Sequence, residues 1–135
     1  MDVKKVGFVA LGGGVLLWLY LFLMHGVIMA NAYVSNPEVF RQAEGNPLWF
    51  LLIEVGVAAG GAILFGKTRT MWADGAKGGI NFGLLLAIIP FFMNFLYPLI
   101  IAGFPYHLAW CWGGIDVIGF GLFGALAGIL YKRAT

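Results

Sequence analysis

Charged side chains are scarce in this sequence, where Asp, Glu, Lys and Arg make up 10% of the residues against 61% hydrophobic ones. So little polar material cannot coat a water-soluble globule, which excludes a soluble fold and leaves no room for a separate soluble module. Cysteine is nearly absent. Cys111 alone forms neither an internal disulfide nor a cysteine-built metal site, and between Trp110 and Trp112 it has no cation to make it a thiolate. No serine or cysteine stands at a recognisable spacing from a base, and there is no glycine-rich phosphate loop and no zincin helix. No enzyme is therefore expected. The net charge of +2 is gathered in short clusters between apolar runs, so nucleic acid is not implied as a partner.

What the sequence does hold is four apolar runs, each near the ~20 residues needed to cross a hydrocarbon core with every backbone group bonded inside one helix. They cover about 6–30, 47–65, 79–101 and 106–131. The fold class expected is an all-α polytopic membrane protein, one four-helix transmembrane domain packed as an antiparallel bundle. The first run, preceded by Lys4 and Lys5 and followed by Ala30-Asn31-Ala32, resembles a secretory signal but is far longer than the ~7–15 apolar residues of a signal core. Orientation follows from the basic residues. Lys4, Lys5, Lys67, Arg69, Lys77, Lys132 and Arg133 fall on one side of a four-span topology, and Arg41 shares its loop with Glu38 and Glu44. Both termini are expected on the cytoplasmic side of the cell membrane.

The connections carry their own signals. Ser35-Asn36-Pro37-Glu38 reads as a cap, a proline in the first turn and an early acid, which predicts a short interfacial helix over Pro37 to Glu44, stopped by Gly45. Asn46-Pro47 repeats the device to start span two. The segment 66–78, with Lys67, Arg69 and Lys77, is expected at the interface, where anionic headgroups attract each basic residue by about 1 kcal/mol. Gly103-Phe104-Pro105 is a tight turn that makes spans three and four antiparallel neighbours.

Helix association in lipid relies on small residues. Gly56 and Gly60 with Ala59 and Gly61 suggest one packing face on span two, and Gly124 and Gly128 with Gly121 and Ala125 another on span four. Gly12, Gly13 and Gly14 are expected to loosen span one. Span three should kink at Pro90 and Pro98, the second of which frees the carbonyl of Asn94.

Ionisable side chains inside a span are costly and point to function. Each span supplies one polar residue in the half away from the termini: His25, Glu54, Asn94 and Asp116, with Tyr97 near the opening. Glu54 and Asp116 at similar depth would share a proton or hold a cation between them, with His25 as a relay; Asn94 also suits interhelical glue. His25 and His107, the only histidines, are the candidate axial ligands for a b-type haem, and His25 with the two acids could bind a metal ion. No cofactor is required by the sequence. The first functional reading is an accessory or structural subunit of a larger membrane assembly, with the lipid bilayer, other membrane subunits or further copies of the chain as partners. The alternative is an oligomeric small transporter or channel for protons, cations or a cationic substrate, and the next a haem- or metal-binding redox subunit.

Overall fold

Span one starts where the Asp2 carboxylate accepts from the amides of Lys4 and Lys5, and span two where Asn46 accepts from the Leu48 amide with Pro47 at its first position. In the computed structural model, which describes residues 1–41 and 45–132, four helical stretches are long and apolar enough to cross a membrane: Val3–Ile28, Pro47–Lys67, Gly75–Ile100 and Tyr106–Leu130. The elements are α1 (Val3–Leu21), a π-helical turn (Phe22–Ile28), α2 (Ala30–Val34), α3 (Pro47–Lys67), α4 (Gly75–Met93), α5 (Tyr97–Ile100) and α6 (Tyr106–Leu130).

The first connection departs from expectation. Its short helix is α2, ahead of Ser35, and Pro37 to Val39 form a single turn in which the Asn36 carbonyl accepts from the amides of Val39 and Phe40. The cause is the direction in which the polar side chains bond. Ser35 Oγ donates to the Asn31 carbonyl at 2.7 Å and Asn36 Nδ2 to the Ala32 carbonyl at 2.8 Å, so the residues expected to cap the next helix close the previous one. The rest of the expected helix, 42–44, lies outside the described residues.

Span three, expected to kink at Pro90 and Pro98, is interrupted between the two prolines. Helix α4 runs through Pro90, a 3-10 turn covers Asn94–Leu96, and Pro98 sits in the first turn of α5. The Asn94 carbonyl is not free, because the tighter turn lets it accept from the Tyr97 amide. Span one carries the reverse distortion. Its last two turns widen, and the Met29 amide reaches the Met24 carbonyl five residues back at 2.9 Å.

Around the bundle the order is α3, α1, α6, α4. Glycines set the two tightest seams. A methyl group on Gly79 or Gly83 would strike the carbonyls of Gly124 or Phe120, and one on Gly124 or Gly128 those of Gly79 or Gly75, so α4 and α6 lie backbone to backbone. The triplet in span one leaves an unbroken α-helix instead of loosening it: Gly13 seats the Phe123 ring and Gly14 the backbone of Val55. On span two the buried face is Ala58, Gly61, Ala62 and Phe65, whereas Gly56 and Gly60 have no heavy atom within contact of an added methyl. The expected stripe is turned outward because Phe123, fully buried, needs the space that Gly61 leaves.

At the end of the bundle that holds the termini, the Asp2 amide donates to Tyr131 Oη at 2.8 Å and Lys5 Nζ to the Lys132 carbonyl at 2.9 Å. Arg69, expected to face headgroups, is 6% exposed. Its guanidinium donates to the carbonyls of Tyr131 and Trp72, both at 2.9 Å, pairs with Asp74 and lies over the Phe65 ring. The orphan carbonyls at the end of α6 draw it in, and a planar fork can serve several acceptors at once.

Candidate functional site

The half of the bundle away from the termini holds a half-open cavity of about 560 Å3. Four of the residues singled out in the sequence line it: His25 from the π-helical turn, Glu54 from α3, Asn94 from the 3-10 turn and Asp116 from α6. Glu54 and Asp116 enter it from separate helices. Asn94, 6% exposed, donates one amide hydrogen to Asp116 Oδ2 at 2.7 Å and another to the Pro90 carbonyl at 2.9 Å. The carboxylate is thereby aimed and partly satisfied, with its second oxygen left for another partner. Asn94 is thus both glue and lining. Beside it, Tyr20 Oη donates to the Ile115 carbonyl at 3.0 Å, one residue before Asp116.

The walls are aromatic. Trp18, Phe22, Tyr33, Phe40, Phe50 and Trp112 all face the cavity. Trp18 is held by its indole N–H, which donates to the Pro47 carbonyl at 3.1 Å. Tyr33 is the hub of the upper wall. The Trp112 indole, which can only donate, reaches Tyr33 Oη at 2.8 Å. The Tyr33 proton is then directed at His25 Nδ1, with Met29 Sδ a weaker acceptor at 3.7 Å. This network assigns His25 the tautomer with its proton on Nε2. Burial pushes the Tyr33 phenol up to about 12, against the pull of the Trp112 hydrogen bond, so it stays a donor at ordinary pH. Phe40 meets Tyr33, Phe104 and Trp112 in tilted or edge-on contacts with centroids 4.9–6.0 Å apart, which holds it in the cavity wall.

No protein-family model, curated protein or solved structure matches this chain.

Two of the predicted residues lie elsewhere. Tyr97 is not in the lining; its ring packs on Phe104 and on Trp112, behind the wall. His107 is exposed at the start of α6 and does not line the cavity with His25. Among the described residues no three His, Cys, Asp or Glu side chains converge to hold a metal ion. Arg41, read in the sequence only for orientation, lines the mouth. The aromatic wall was missed too. Tyr33 and Trp112 lie near span ends, where an aromatic residue reads as an interface anchor, and nothing local in the sequence says that they turn inward around His25.

Proposed function

We propose that this protein binds a cationic small molecule inside the membrane and acts as a small transporter for it. The observation that carries the reading is the convergence of Glu54 and Asp116, from separate helices, on one aromatic-walled cavity. Its volume lies in the ~300–1,000 Å3 range of small-molecule sites. An aromatic cage attracts a poorly hydrated cation through its ring faces, and a carboxylate on either side relieves its own repulsion by holding one. Among the described lining residues the formal charges are Glu54, Asp116 and Arg41, a net of −1, which matches a monovalent cation. Basic residues clustered with the termini favour both termini in the cytoplasm of a cell whose outer membrane face the cavity then addresses.

The test is binding of tetraphenylphosphonium to the full chain in lipid nanodiscs, and its uptake into proteoliposomes. Glu54→Gln and Asp116→Asn are each expected to weaken binding about tenfold, the loss of one charge-assisted contact, and the double substitution to abolish both binding and uptake with helix content unchanged. A double variant that binds and transports normally would sink the proposal.

A second reading, an accessory subunit or homo-oligomer, is favoured by one observation: α3 is flanked chiefly by α1 and turns Gly56 and Gly60 outward. Gentle solubilisation followed by native mass spectrometry tests it, since partners or further copies support it and a protein that always runs alone counts against it.

A further inference from the structure

A second cavity, of about 250 Å3, lies between α3 and α4. Val57 and Gly61 form one wall, Leu86, Ile89, Pro90 and Met93 the other, and Phe120 of α6 stands behind. On all three helices its lining residues stand one turn from those of the polar chamber. Val57 follows Glu54 by one turn on α3, Phe120 follows Asp116 by one turn on α6, and Pro90 precedes Asn94 by one turn on α4; residues three or four apart share a helix face. Asn94 of the chamber is tied to both spaces, because its amide donates to Asp116 and to the carbonyl of Pro90, a residue of the groove wall. Nearer the termini the Phe65 and Phe82 rings bridge α3 and α4 with centroids 5.0 Å apart. Val57, Ile89 and Met93 are exposed on the outer surface of the bundle.

We infer that the ligand is a single-chain cationic amphiphile that enters sideways from the bilayer, with its ammonium head between Glu54 and Asp116 and its alkyl chain in the groove between α3 and α4. The inference rests on the cation reading above and names the class of cation. A groove lined by apolar side chains offers a hydrated headgroup nothing in exchange for its water, yet it accepts an alkyl chain. The chamber has the opposite preference, with carboxylates and ring faces for a quaternary nitrogen. Head and chain thus find separate, adjoining spaces. From Glu54 in the chamber to Gly61 at the far end of the groove is seven residues, about 10 Å at 1.5 Å per residue, which suits a chain of medium length. A compact cation would leave this space empty.

The experiment measures binding of an alkyltrimethylammonium series to the full chain in nanodiscs, with each value corrected for partition into nanodiscs without protein. Corrected affinity is expected to rise about tenfold or more from tetramethylammonium to the chain that fills the groove, and then to level off. Val57→Phe, which narrows the groove one turn from Glu54, should cancel the rise and leave tetraphenylphosphonium binding unchanged. Ile89→Phe, on the opposite wall, repeats the test if the first variant does not fold. A flat series, or a rise that survives both substitutions, overturns lateral entry while tetraphenylphosphonium binding preserves the cation reading. Wild-type protein that binds neither probe overturns both.

Discussion

Tyr33 does more than any other single residue to hold the upper cavity wall. Its oxygen accepts from Trp112 and its proton goes to His25, which ties the first connection to α6 and to the π-helical turn of span one. Because the folded phenol titrates near 12 against an ordinary 10.0, folding favours its protonated form. Its contribution is complete below pH 10 and is lost as pH climbs from about 10 to 12. Thermal unfolding in detergent should therefore show a drop in Tm across that window, and Tyr33→Phe should remove this alkaline component. The same substitution strands the Trp112 donor, at a cost of about 1–3 kcal/mol at neutral pH. An alkaline drop of equal size in the variant would assign it to another group. His25, Glu54, Asn94 and Asp116 could be picked out from the sequence because a polar side chain inside an apolar run stands out at once. Tyr33 and Trp112 could not, since an aromatic residue near a span end reads equally well as an interface anchor.

At the scale of helices the glycines sort into two populations that the sequence does not distinguish. Those on α4 and α6 let two backbones touch; those at Gly56 and Gly60 face outward. Gly83→Val should separate α4 from α6, destabilising the fold by about 1–3 kcal/mol or more, because the new side chain meets the Phe120 carbonyl, which cannot retreat. Gly56→Ala has open space and should change stability by less than about 0.5 kcal/mol unless helix propensity adds up to ~1 kcal/mol in its favour. Denaturation of both variants by a graded detergent series compares them directly. If Gly56→Ala proves the more damaging of the two, the outward stripe is packed against something in the assembled protein.

For the whole molecule the distribution of basic residues predicts which way it stands in the membrane. Lys4, Lys5, Lys67, Lys77 and Lys132 mark the terminal end, with Arg69 withdrawn into the fold and so removed from any headgroup contact. Ser35 is exposed in the first connection at the other end. In a Cys111→Ser background, Ser35→Cys should react with a membrane-impermeant maleimide added to intact cells, and a cysteine placed at Lys132 should react only after lysis. The reverse pattern would invert the topology and turn the cavity toward the cytoplasm.

The sequence by itself determined four helices, their places within a few residues, and the four polar side chains that share one half of the bundle. It could do so because burying backbone in lipid demands about 20 apolar residues per span and makes every ionisable exception conspicuous. Only the tertiary structure decided which glycines pack and which face outward, that Ser35 and Asn36 end a helix instead of starting one, and that the Asn94 carbonyl finds a donor. It also decided that the polar residues meet in an aromatic chamber with an apolar groove beside it. These outcomes depend on how far each helix is rotated about its axis, and a chain hydrophobic on every side, with no amphipathic stripe to point inward, carries little local record of that rotation.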